Sequence, residues 1–211
     1  MNILEFDKQR VISFSDAVFS IAMTLLVLEI SVPSFSSIYE KGTLNSLLEL
    51  VPNFIGLVVS FFVVALYWIP HLRMMNYVET FDSRLLWLNI FLLFFIILLP
   101  FSTALYVRGN GLVGPFVFYC MNITMLGVLI YLLIKKVFSK LKRESQRMEI
   151  ISKWEEMKAL NSVFIWLFAI ILSFQELGIA KVIFILIFVV EFFLNRFYGK
   201  KLELLDEEVN I

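Results

Sequence analysis

The sequence predicts an all-α integral membrane protein with six spanning helices and both termini on the cytoplasmic side. Three observations predict it: an apolar composition, six apolar runs near spanning length, and a lopsided placing of basic residues. Of the 211 residues, 60% are hydrophobic and only 17% are charged, with a mean hydropathy of +0.88. Soluble domains carry about a quarter charged residues. So small a supply of charge cannot cover a water-facing surface, and the solvent is therefore largely lipid. The 23 phenylalanines suit lipid-facing surfaces and close packing between helices.

Crossing the hydrocarbon core takes about 20 apolar residues. Six stretches reach or approach that length: Val11–Val32, Leu47–Ile69, Leu85–Val107, Leu112–Val137, Leu160–Gln175 and Ile179–Phe197. Together they make one six-helix domain over 1–211. Pro33 with Ser34, Ser36 and Ser37 closes the first span. Pro52 opens the second, where a missing backbone donor costs little. Pro70 and Pro100 fall near span ends and predict kinks or stops. Gly109, Asn110 and Gly111 form a short turn between spans three and four. The polar stretch Ser139–Lys158 reads as cytoplasmic extensions of helices four and five. Span five is short, and Glu176, Gly178 and Lys181 mark a tight turn into span six. Met1–Arg10 contains acidic residues, and no small-residue cleavage site follows the next apolar run. The first helix is therefore expected to stay rather than to be removed as a signal.

With an even number of spans, the N-terminus, loops two–three and four–five and the C-terminus share one side. That side holds fifteen of the eighteen Lys and Arg; only Lys41, Arg108 and Lys181 lie opposite. Basic loops face the cytoplasm, which places the chain as a multi-pass protein of the plasma or inner membrane. The net charge of zero points to no nucleic-acid partner.

Most chemical signatures are absent. There is no phosphate-binding glycine–lysine loop, nucleophile elbow, dinucleotide fingerprint or metal-spaced His/Cys pair. His71 is the sole histidine, and the sole cysteine, Cys120, reads as a small buried residue. No TVGYG carbonyl filter and no regular arginine ladder appear. Nothing supports an enzyme, and no cofactor is expected.

Polar groups inside a bilayer are expensive, so the spans that carry them are informative. Helix one stands out, with Arg10, Ser13, Ser15, Asp16, Ser20, Thr24, Glu29 and Ser31 in or beside it. At about 100° per residue, one stripe runs Arg10, Phe14, Ala17, Ile21, Thr24, Leu28, Ser31. Asp16 falls well off this stripe and faces neighbouring helices, where it must find donors or be protonated. Arg10, Ser13 and His71 are the expected donors, in a network fixing helix one against helix two. Glu29, Glu176 and Glu191 fall near span ends, where they snorkel or pair.

The run Arg10-Val-Ile-Ser-Phe14-Ser15-Asp16, followed by Ala17-Val-Phe-Ser-Ile21-Ala-Met-Thr24-Leu-Leu-Val-Leu28, resembles the RxxxFSD signature of the transmembrane-protein-175 family of potassium channels. Trp68 with His71, and Asn89 through Pro100, are similar to that family's second and third helices. The resemblance implies a homotetramer of six-helix subunits in which helix one lines a central pore. It implies a passive pathway for potassium and other monovalent cations, gated by a hydrophobic constriction in place of a carbonyl filter. Ile21 stands at the constriction, Thr24 one turn on beside transient potassium ions, and Leu28 and Ser31 beyond. Arg10, Phe14, Ser15, Asp16 and His71 take structural roles. A small-solute carrier or an accessory membrane subunit are the other readings of a polar stripe on helix one; a carrier, though, tends to show inverted repeats and broken helices, and neither is visible.

Overall fold

The computed structural model describes residues 6–109 and 111–209. Asn110 of the expected turn and the first residues of the N-terminal segment lie outside them. Among the described residues the chain forms nine helices: α1 (Lys8–Leu28), α2 (Phe35–Lys41), α3 (Thr43–Leu48), α4 (Val51–Asn76), α5 (Ser83–Arg108), α6 (Val113–Glu144), α7 (Gln146–Ser173), α8 (Leu177–Ala180) and α9 (Ile185–Val209). An isolated antiparallel bridge joins Phe6 to Phe81 and ties the start of the chain to the α4–α5 turn.

Five segments are long and apolar enough to cross a membrane: α1, Thr43–Asn76, α5, Val113–Ser139 of α6, and α7. The chain is a multi-pass helical membrane protein. The stretch expected as span six, 179–197, is not one helix. α8 makes a single turn, and residues 181–184 form turns before α9 begins. There the N–H groups of Val182, Ile185, Leu186 and Ile187 bond three residues back rather than four. α9 also carries Glu191, Arg196, Lys200 and Lys201, too much charge for an uninterrupted apolar span.

Local chemistry sets the helix starts. The Asp7 carboxylate accepts the Arg10 N–H at 3.1 Å and opens α1. The Ser34 hydroxyl accepts the Ser37 N–H and opens α2, a helix the sequence reading did not anticipate. Asp82 opens α5 by accepting the Leu85 N–H at 2.7 Å, and it pairs with Lys136 of α6 at 2.6 Å. Partial burial pushes the Asp82 carboxyl up. Lys136 and the Leu85 N–H together outweigh that and hold it below the ordinary carboxylate range.

Pro70 and Pro100 do not stop their helices: α4 continues to Asn76 and α5 to Arg108. A spanning helix tolerates proline when neighbouring side chains satisfy the disturbed turn. Just after Pro100, the Ser102 and Thr103 hydroxyls both reach the Leu99 carbonyl at 2.9 Å, in the turn beyond the Ile96 carbonyl that Pro100 leaves without its helical donor. The polar stretch after span four is helical almost throughout, broken only at Ser145 between α6 and α7.

α6 and α7 form the most closely packed pair, an antiparallel hairpin; α5 packs on α6, α1 on α5 and α4, and α9 on α7. Phe19, Leu26, Leu92, Ile96, Ile123 and Leu133 are among the fully buried side chains of the core. Gly127 permits the close approach of α6 to α7: a Cβ there would stand 2.8 Å from the Val163 Cγ2 methyl. Valine is stiff about its first side-chain torsion and cannot easily yield.

Gly127→Val is therefore expected to destabilise the chain by about 1–3 kcal/mol, read as a lowered melting temperature of the purified protein in detergent. Gly114→Ala, where an added Cβ meets nothing within 4 Å, is the control and should not lower it.

Candidate pore-facing helix and its polar anchor

α1 has two unlike faces. Ser15, Val18, Phe19, Ala22 and Leu26 are buried against the rest of the chain. The opposite face carries Arg10, Phe14, Ala17, Ile21, Thr24 and Leu28, all exposed; Ile21 is 56% and Leu28 72% accessible. The stripe read from the sequence thus lies on the uncovered side of α1 as far as Leu28. Ser31 does not belong to it. The Glu29 and Ile30 N–H groups bond only three residues back, the helix ends, and Ser31 lies exposed in the segment leading to Pro33.

The uncovered face of α1 differs in chemistry from an ordinary lipid-facing surface. On α5 the exposed side chains of Trp87, Ile90, Phe91, Phe94, Ile97 and Phe101 are apolar throughout. On α1 the hydroxyl residues Ser13, Ser20 and Thr24 are exposed among the apolar ones. Thr24 Oγ1 donates to the Ile21 carbonyl at 2.8 Å. With its hydrogen turned to the backbone, the oxygen's lone pairs remain for an outside partner.

The covered face is held by polar contacts. The Asn89 amide nitrogen of α5 donates to Ser15 Oγ at 2.9 Å, and Ser15 donates onward to the Val11 carbonyl at 2.9 Å. The Asn89 oxygen lies 2.8 Å from His71 Nε2 of α4. Because the Asn89 N–H is committed to Ser15, its oxygen faces the imidazole and Nε2 carries the hydrogen. One buried amide thus joins α1, α4 and α5. Beside it, the Trp68 indole N–H donates to Asp16 Oδ1 at 3.0 Å.

This revises the expected donor set for Asp16. The partner is Trp68, not Arg10, Ser13 or His71. Arg10 and Ser13 are exposed, whereas Trp68 lies on α4 facing α1. Ser15 and His71 are brought together only through Asn89, and Phe14 stands apart on the exposed face. The roles of Trp68 and Asn89 were missed, although a lone asparagine inside an apolar span is a signal in itself.

Two further groupings escaped the sequence. Ser60 of α4 lies 2.9 Å from the Thr103 hydroxyl of α5 and 3.1 Å from the Tyr119 hydroxyl of α6. At the far end of α1, Arg108 of α5 reaches the Glu29 carboxylate at 3.3 Å and its backbone carbonyl at 3.4 Å. Arg108 therefore both neutralises Glu29 and caps the negative end of α1. Among the described residues no group of three or more His, Cys, Asp or Glu is placed to hold a metal ion.

Residues 10–100 match the model of the family described as endosomal/lysosomal potassium channel TMEM175. That segment includes α1, the Trp68–His71 turn of α4 and Asn89. A potassium channel of Chamaesiphon minutus is 40% identical over 96 residues, 46% of this chain and 47% of that one. A potassium channel of a Chryseobacterium species is 29% identical over 151 residues, covering 71% and 75%. The human endosomal/lysosomal proton channel TMEM175 is 28% identical over 131 residues, 62% of this chain and 26% of that one. The aligned part spans about half the length of the Chamaesiphon relative. In three dimensions the chain is similar to the crystal structure of a lysosomal potassium-selective channel TMEM175 homolog from Chamaesiphon minutus. The TM-score is 0.73 at 26% identity, covering 90% of this chain and 97% of that one.

Asn89→Leu would strand the His71 Nε2–H in an apolar setting, at an expected cost of about 1–3 kcal/mol. Thermal unfolding in detergent measures it. Trp68→Phe should cost less, because Asp16 is only half-buried.

Proposed function

We propose that this chain is a subunit of a passive, potassium-permeable cation channel in which α1 lines the pore. The observation that carries the reading is the uncovered face of α1. It interleaves hydroxyl and bulky apolar side chains, and it lies within the segment shared with TMEM175 channels. A single chain has only one such face, so a closed pathway needs further copies. Four subunits around an axis are the arrangement expected of the family, with the termini on the cytoplasmic side of the cell membrane. The α8–α9 segment serves as a sixth, broken span.

In this assembly four Ile21 side chains meet near the axis. An apolar ring of that kind excludes water and so stops ions until the helices separate. One turn on, the outward lone pairs of four Thr24 hydroxyls replace part of the hydration shell of a dehydrating cation. Leu28 forms a second apolar level. Arg108 keeps Glu29 paired, so the pore mouth carries little free negative charge. α1 is hydrogen-bonded to α4 and α5, so separation of the pore helices carries those two helices along with it.

Ile21→Ala should raise basal current, and Thr24→Val should reduce the preference for potassium over sodium while leaving assembly intact. Bilayer recordings of purified protein under potassium and sodium gradients test both. Native currents unchanged by Ile21→Ala would remove Ile21 as the constriction. A saturable flux without unitary currents would replace the channel by a carrier.

A further inference from the structure

A cavity of about 620 Å³ separates α4 from α7 and α9. Along α4 it runs from Val58 to Arg73, about 22 Å of helix rise, whereas half a bilayer's hydrocarbon is about 15 Å deep. The Val58 end is apolar, walled by Val58, Phe62 and Leu66 on one side and by Phe184 and Phe188 on the other. Phe62 and Phe188 are exposed at the rim, so the cavity opens sideways. An apolar gap between spanning helices, open to the bilayer, fills with hydrocarbon rather than water.

The Arg73 end is polar and balanced in charge, with Arg73 and Lys158 against Glu155 and Glu191. Lys158 is already engaged: its Nζ is 3.0 Å from Glu155 and 4.2 Å from the centre of the Trp154 ring. Arg73 is held more loosely. Its guanidinium forms a long ion pair with the same Glu155 at 3.7 Å, and its side chain is 58% exposed. Glu191 makes no ion pair or hydrogen bond among the described residues, although it lines the cavity. The mouth therefore offers, among the described residues, one exposed and loosely paired cation and one carboxylate without a partner, beside the closer Lys158–Glu155 pair.

We infer that this cavity seats a phospholipid with a zwitterionic head. Its acyl chain lies along α4 toward Val58, its phosphate meets the Arg73 guanidinium, and its ammonium meets the Glu191 carboxylate. An anionic head would satisfy Arg73 but face Glu191 unpaired, so charge complementarity selects the zwitterion. The site depends on the chain's residence in a membrane and not on the pore reading. It braces α4, which carries Trp68 and His71, against α7 and α9.

The test uses the full chain reconstituted in equal phosphatidylethanolamine and phosphatidylglycerol, extracted in mild detergent and examined by native mass spectrometry. The expected result is retained phosphatidylethanolamine. Arg73→Gln should lower retention about fivefold, and Glu191→Gln should shift the retained lipid toward phosphatidylglycerol. Val58→Trp, at an exposed position, should fill the apolar end and reduce retention of both lipids without altering the preference. The inference is overturned if the native chain keeps phosphatidylglycerol or no lipid. It is overturned equally if retention ignores both Arg73→Gln and Val58→Trp, or if Val58→Trp instead breaks the oligomer, which would make a second copy the occupant.

Discussion

The hydrogen bonds that Asn89 makes to Ser15 on one side and to His71 on the other join three helices at a single level. In hydrocarbon no water stands by to replace a broken contact, so a buried polar group must find its partner within the protein. The amide meets this requirement directionally, its nitrogen donating to Ser15 and its oxygen facing His71. α1 is thereby set in rotation as well as position. A turn of one residue, about 100°, would carry Ser15 away from Asn89 and Asp16 away from Trp68.

The setting of the covered face decides what the other face can present. With Phe19, Ala22 and Leu26 packed inward, Ile21, Thr24 and Leu28 point away from the chain. The same layering recurs further along the bundle. Ser60, Thr103 and Tyr119 join α4, α5 and α6 by hydroxyl contacts, and Tyr67 reaches Ser162 of α7 at 2.8 Å. Apolar packing supplies the area of these interfaces, and the polar contacts supply their register. The similarity to the Chamaesiphon structure extends over 90% of this chain. It therefore extends into α6 and α7, well beyond the segment matched by the family model.

Much of this was legible in the sequence because the bilayer restricts the choices. Composition and run length suffice to find α1, α4, α5, α6 and α7, and helical periodicity alone draws the stripe on α1. Three features were not legible, each for a physical reason. The ends of α1 and α4 depend on local capping and on chain exits, which displaced Ser31 from the stripe and extended α4 to Asn76. The partner of Asp16 depends on which α4 side chain faces α1, and sequence distance cannot supply that. The break between α8 and α9 arises where apolar content and charge are mixed, so hydropathy finds a segment but not its continuity.

The three-helix bridge has a consequence for proton movement. Hydrogen-bond donation runs in one sense, from His71 to Asn89, from Asn89 to Ser15 and from Ser15 to the Val11 carbonyl. A relay requires each member to accept a proton on one side and release one on the other. The asparagine amide does not do this near neutral pH, and the chain ends on a carbonyl already committed to the helix. The bridge is therefore an insulator: it fastens the helices firmly together and offers protons no passage between them.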